Sequence, residues 1–109
     1  MILDFANIEA QTLKNFKGGE KEVVANMHVD EMNRIFKGKL VPGASIGLHT
    51  HDTSSEIIFI LSGTGKAVYD GKEERVAPGM CHYCPKGHSH SFVNDGTEDM
   101  YIYAVVAEQ

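Results

Sequence analysis

The sequence predicts a single all-β domain, and three observations predict it. From about residue 20 the apolar residues change to a period of two, the alternation of a half-buried strand. Strand-like pieces then follow one another over 33–41, 44–51, 55–61, 65–70, 73–77, 80–84, 89–94 and 99–107. Turn residues separate them: Pro42-Gly43, Asp70-Gly71, Pro78-Gly79, Pro85 to Gly87 and Asn94 to Gly96. Many short strands at this spacing make a sandwich or barrel. With 109 residues the chain can fill one core and not two.

Each element has its local reason. Phe5, Ile8, Leu13 and Phe16 recur at near-helical spacing and predict a short N-terminal helix, stopped by Gly18-Gly19. Residues 1–19 are thus expected to pack on a barrel formed by 20–109. In the first strand Val23, Ala25, Met27 and Val29 alternate with Glu22, Val24, Asn26 and His28. Asp70-Gly71, set between GKAVY and KEERV, is a type I′ hairpin signal, because both turn positions need positive φ.

Composition excludes several roles. Hydrophobic content of 42% and charged content of 23% are ordinary for a globular domain. The net charge is −5, and the ten Lys and Arg are scattered, with Arg34 and Arg75 the only arginines. That argues against a nucleic-acid or anionic-membrane partner. No apolar run approaches the roughly 20 residues that span a bilayer. The amino terminus, MILDFANIEAQ, carries neither a basic leader nor a clean small-residue cleavage site, which predicts a cytoplasmic protein.

Cys81 and Cys84 form a C-x-x-C in MCHYCPKG. Redox pairs of this kind sit at helix starts. On a strand the two Cα atoms lie roughly 10 Å apart and the side chains point to opposite faces, beyond disulfide reach. Two buried structural thiols and no disulfide are expected.

The segment GASIGLHTHDTSSEIIFILSG, residues 43–63, places polar side chains where apolar ones would fill a core. His49 and His51 share a strand face, and Glu56, across a short loop, can fold back beside them. Imidazole nitrogens with a carboxylate oxygen suit Mn, Fe, Co, Ni or Zn. A lone H-x-H is weak, but PKGHSHSFVN brings a second such pair, His88 and His90. One more neutral imidazole from that strand would complete a four-ligand set.

These residues resemble the cupins. Gly43, His49, His51, Glu56 and Gly63 fall at the positions of the first cupin motif, and Gly79, Pro85, Gly87, His90 and Asn94 at those of the second. The resemblance implies a double-stranded β-helix of jelly-roll type, an antiparallel barrel, with a divalent transition metal held by His49, His51, Glu56 and His90. Pro85 and Gly87 would shape the turn that delivers His90, and Asn94 would support a turn. His88 is not a metal position in the pattern. It is either a group beside the site or an exposed histidine at the barrel rim. His82 is expected to be structural or exposed. Arg34 could reach a carboxylate in the cavity with both guanidinium nitrogens, or lie on the surface.

Four protein ligands on a six-coordinate metal leave two adjacent positions, an open site able to take a bidentate oxygen ligand such as a hydroxy acid, keto acid or diol. Cupins include dioxygenases, decarboxylases, isomerases, lyases and simple binders, so the fold does not choose the reaction. The reading is a metal-dependent enzyme on a small polar metabolite, with a non-catalytic metal and ligand-binding module as the alternative. Catalytic residues are not identified; His88 and Arg34 are the candidates.

Parity makes one further prediction. With His49 and His51 inward, Ile46 and Leu48 turn outward. With Glu56, Ile58 and Ile60 inward, Ile57, Phe59 and Leu61 turn outward. A second apolar face of this kind marks an interface, and small cupins commonly pair sheet to sheet. A homodimer is expected, unless the N-terminal segment covers that face.

Overall fold

A computed structural model describes residues 1–109. Ten strands run in chain order: β1 (Ala10–Lys14), β2 (Glu22–Val29), β3 (Asn33–Leu40), β4 (Ser45–Thr50), β5 (Ser54–Ser62), β6 (Gly65–Tyr69), β7 (Lys72–Val76), β8 (Cys81–Cys84), β9 (Ser89–Val93) and β10 (Met100–Glu108). They form a six-stranded sheet, β1-β2-β3-β10-β5-β8, facing a four-stranded sheet, β4-β9-β6-β7. The pairings are antiparallel throughout. This is the double-stranded β-helix that the resemblance to the cupins implies, and a form of the sandwich or barrel that the strand pattern predicts. No helix is long and apolar enough to cross a membrane.

The inward rows make the core. Val23 and Ala25 of β2, Phe36 and Leu40 of β3, Ile58 and Ile60 of β5, Phe92 of β9, and Met100, Ile102 and Ala104 of β10 are all buried. The Asp70-Gly71 hairpin forms as expected: Tyr69 pairs with Lys72, and Asp70 and Gly71 have φ of 46° and 81°. Asn94 also acts as predicted, its amide donating to the carbonyls of Leu40 and Glu98 while its Oδ1 accepts from the Gly96 amide.

Three expectations are corrected. The N-terminal helix is absent; two 3-10 turns, Phe5–Asn7 and Phe16–Gly18, flank β1 instead. So short a helix is marginal without a packed face. Here β1 gains a ladder to β2, with Thr12 opposite Val24, and Leu13 and Phe16 still reach the core. Asn15 and Lys17, at φ of 50° and 56°, interrupt any helix.

The second correction concerns β4. Ile46 is buried, not outward, while Leu48 is 69% exposed. Ile46 pairs with Phe92 and His49 with His90, so three steps on β4 oppose two on β9. That is a β-bulge, and it returns His49 to the face Ile46 already occupies. Gly47 sits in the bulge because residues 17–19 cross it: a Cβ there would lie 2.1 Å from the Lys17 carbonyl oxygen and 2.7 Å from the Gly19 nitrogen.

The third correction is Cys81. Both thiols are free, but only Cys84 is buried; Cys81 lies exposed on the opposite face of β8.

Candidate metal centre and its cavity

Three strands deliver the cluster. The β4 bulge turns His49 inward, and His51 follows it at the exit of the strand. Glu56 follows Ser54 in the inward row of β5, and His90 opens that of β9 directly opposite His49. The turn before β9 is shaped by Gly87, whose φ of 89° favours glycine. Its amide donates to the His51 carbonyl at 2.6 Å, and the His51 amide donates to the His88 carbonyl at 3.0 Å. That backbone exchange locks the two histidine segments together.

The cluster is tight. Nε2 of His49 lies 3.1 Å from Nε2 of His51 and of His90, and the latter two are 2.9 Å apart. Glu56 Oε1 stands 2.8 Å from His90 Nε2, 3.2 Å from that of His51 and 3.8 Å from that of His49. All four donor atoms lie within 4.8 Å of one another, and all but His49 are buried.

The donor chemistry fits a metal. The Gly47 carbonyl, 2.7 Å from His49 Nδ1, can only accept, so neutral His49 carries its proton on Nδ1 and points a bare Nε2 at the cluster. Three imidazole nitrogens converging on one carboxylate cannot all be donors to one another. The separations of 2.9–3.1 Å match the roughly 3 Å between neighbouring donors on an ion bonded at about 2.1 Å. Burial pushes the Glu56 carboxyl up, but the three imidazoles of His49, His51 and His90 around it together hold it well below the usual carboxylate range. It is an anion that a cation held by the cluster would balance.

One face of the cluster opens on a cavity of about 580 Å³ whose lining includes Arg34, His49, His51, Glu56 and Phe16. Buried His90 lies behind it. Arg34 therefore faces the cavity and not the outer surface. Its Nε is the one buried side-chain nitrogen or oxygen without a hydrogen-bond partner. Arg34 pairs with Val106, and Val106 with Glu56. Two strand spacings thus separate the guanidinium's strand position from the carboxylate's, roughly 10 Å between Cα atoms. Of the carboxylates at the rim, Asp30 is tied into the β2–β3 turn by the Met32 and Asn33 amides and His28, which hold it below its ordinary value.

His88 is placed elsewhere. Its ring stacks on Tyr69 with centroids 5.4 Å apart, and its Nδ1 lies 2.5 Å from Asp70 Oδ2 and 3.0 Å from the Tyr69 hydroxyl. It is not among the residues lining the cavity. His82, expected to be structural or exposed, is buried beside the cluster, with Nε2 3.0 Å from His90 Nδ1. Burial, and then the neighbouring His90, push its pKa below the ordinary imidazole value. Its shared strand face with buried Cys84 is the sequence signal for its inward position, though not for its place beside His90.

Comparison with known proteins shows the family and the fold. A family model described as a cupin domain matches residues 36–106. An oxalate-binding protein of Thermotoga maritima is 32% identical, over 97% of this chain and 93% of its own. The crystal structure of a predicted oxalate decarboxylase, also from Thermotoga maritima, superposes with a TM-score of 0.93 at 30% identity over the whole of both chains. A polyketide cyclase from Streptomyces resistomycificus superposes at 0.79, covering 98% of this chain and 78% of its own. At 21% identity that likeness is one of fold alone.

Proposed function

The chain belongs to the cupin family, and on that footing we propose that it binds one divalent transition metal and, through it, a small carboxylate of the oxalate class. His49, His51, Glu56 and His90 would hold the ion. When bound, it supplies positive charge and Lewis acidity to an oxygen ligand. The chain's own residues do the rest. Arg34 offers a buried, unpartnered N–H donor from the cavity wall, which suits a second carboxylate oxygen in a charge-assisted contact. Phe36 and Ile46 line the same cavity and limit water around it.

The observation that carries this reading is the pairing of an open His/His/Glu/His cluster with the orphaned Arg34 in one cavity. Two positive groups in one small cavity, a bound ion and the Arg34 guanidinium, would select a ligand with carboxylate oxygens at both ends. The 32% identical relative is named for binding oxalate. A decarboxylase is the second reading, favoured by the description of the 30% identical structure. Against it, His88 stands away from the cavity, so no imidazole there is free of the cluster for proton transfer. Binding is therefore placed first.

The test loads the protein with manganese or cobalt, measures metal per chain, and titrates oxalate calorimetrically into loaded and metal-free protein. One ion per chain and oxalate binding only when loaded are expected. Arg34→Ala should weaken oxalate about 10- to 100-fold, the value of a charge-assisted hydrogen bond, and leave metal affinity unchanged. No stoichiometric metal, or equal oxalate binding without it, overturns the reading. Carbon dioxide release from oxalate would move the protein to the enzyme reading.

The oligomeric state belongs to the same proposal. Phe59, Leu61, Tyr83 and Tyr103 are exposed on the outer face of the six-stranded sheet. Phe5 covers only its margin, with its ring centroid 5.4 Å from that of Tyr103. A homodimer joined through this face would bury that apolar surface. Light scattering should give twice the chain mass, and Phe59→Lys should halve it; a monomer at all concentrations overturns the dimer.

A further inference from the structure

We infer that His82 and Glu74 form a positioning pair that keeps the proton of His90 on Nδ1 and so leaves its Nε2 bare for a metal. The inference rests on the metal-binding reading above. The three histidines of the cluster have three different partners on Nδ1. For His49 it is a backbone carbonyl, which fixes the tautomer outright. For His51 it is the Ser54 hydroxyl at 2.9 Å, which can donate or accept. For His90 it is another imidazole, His82 Nε2 at 3.0 Å, whose role depends on its own proton.

Glu74 biases that role from an ion-pair separation, longer than a good hydrogen bond. His82 Nδ1 lies 3.5 Å from Glu74 Oε1, and an ionised carboxylate only accepts. The His82 proton is therefore drawn to Nδ1, its Nε2 becomes an acceptor, and His90 must donate from Nδ1. The Nε2 lone pair of His90 then points at the cluster. Glu56 pulls the other way, because its Oε1 lies 2.8 Å from that Nε2 and would accept a proton held there. The pair opposes this pull before any ion arrives.

Nothing else competes for His82. The Tyr69 ring meets it edge-on at 6.2 Å, a packing contact, and the rings of His82 and His90 stack at 5.2 Å and 18°. The run also has an architectural place. Glu74 is on β7, the edge of the four-stranded sheet, and His82 is on β8, the edge of the six-stranded one. The relay thus bridges the two sheet edges on the way from solvent-exposed Glu74 to buried His90.

The experiment reads tautomers and affinities separately. Long-range proton–nitrogen NMR on metal-free protein at mildly alkaline pH should show His82 protonated on Nδ1 and not on Nε2. In Glu74→Gln that preference should become a mixture. Calorimetric zinc titration should show affinity falling about 10- to 100-fold in His82→Phe, the usual cost of removing a partner behind a ligating histidine, and by less in Glu74→Gln. Glu74 is on the surface, so its variant tests the pair even where His82→Phe fails to fold. A proton on Nε2 of His82 overturns the inference, as does unchanged zinc affinity in both variants. Wild-type protein that binds no zinc would sink the metal reading instead, and the NMR result would then decide the pair by itself.

Discussion

The two ends of the barrel interior are built from the same strands and held by different physics. On β5 the inward row runs Ser54, Glu56, Ile58, Ile60; on β9 it runs His90, Phe92; on β3 it runs Arg34, Phe36, Gly38, Leu40. Each row is polar at one end and apolar at the other, and the ends coincide in space because Arg34, Val106 and Glu56 are in register. The apolar end needs nothing beyond burial, which stabilises at about 25 cal/mol per Å². The polar end carries a cost for every buried group left unpaired, several kcal/mol each, and Arg34 Nε is one such group. The fold rests on one half of the barrel, and the chemistry is placed in the other.

Substitutions can break that division. The largest effect is expected at the apolar end: Phe92→Ala should cost about 3–5 kcal/mol in denaturant unfolding, while the folded fraction still binds one metal per chain. Loss of metal stoichiometry in the folded fraction would show that the two ends are one unit. Next comes His51→Ala at the polar end. Saturating metal at 100 to 1,000 times its dissociation constant should stabilise the wild type by about 2.7–4 kcal/mol and the variant not at all. Chelator alone should lower the melting temperature but leave the β circular dichroism at room temperature; its collapse would mean that the metal organises the fold.

Between the two ends lies the β4 bulge. Gly47→Ala places a methyl 2.1 Å from the Lys17 carbonyl oxygen, an overpacking expected to cost about 1–3 kcal/mol. Because the same residue's carbonyl holds His49 Nδ1, metal affinity should fall with it. A destabilised variant with wild-type metal affinity would separate the bulge from the site.

The smallest effect concerns the boundary residue Cys84. Burial, then the charges of Glu56 and Asp70, push its thiol up to about 11 from 9.0. The folded state holds the proton more tightly than the unfolded one, so the contribution to stability is complete below about pH 9 and lost as pH rises through about 11. At pH near 8 a thiol reagent should modify exposed Cys81 first and Cys84 only on unfolding. Equal rates for both would contradict the burial.

Much of the site was legible in the chain because its information is local. The spacings of His49, His51 and Glu56, and of Gly87 and His90, lie within single strands and their turns. What failed is equally specific. Counting alternate residues from His51 back to Ile46 assumes an unbroken strand, and the bulge adds one residue between Ile46 and His49. His82 was assigned no part in the site, because nothing within CHYC says which strand will stand beside it.

By itself, then, the sequence determined the strand pattern, the I′ hairpin at Asp70-Gly71, and a set of ligand types in two spaced motifs. These follow from backbone periodicity and turn stereochemistry, which neighbouring residues decide. Only the tertiary structure decided that Ile46 is core, that Arg34 faces the same cavity as Glu56 across Val106, and that His82 links Glu74 to His90. Those depend on which strands become neighbours and on the crossing of residues 17–19 over Gly47, contacts between segments far apart in the chain, formed only when the two sheets close on each other.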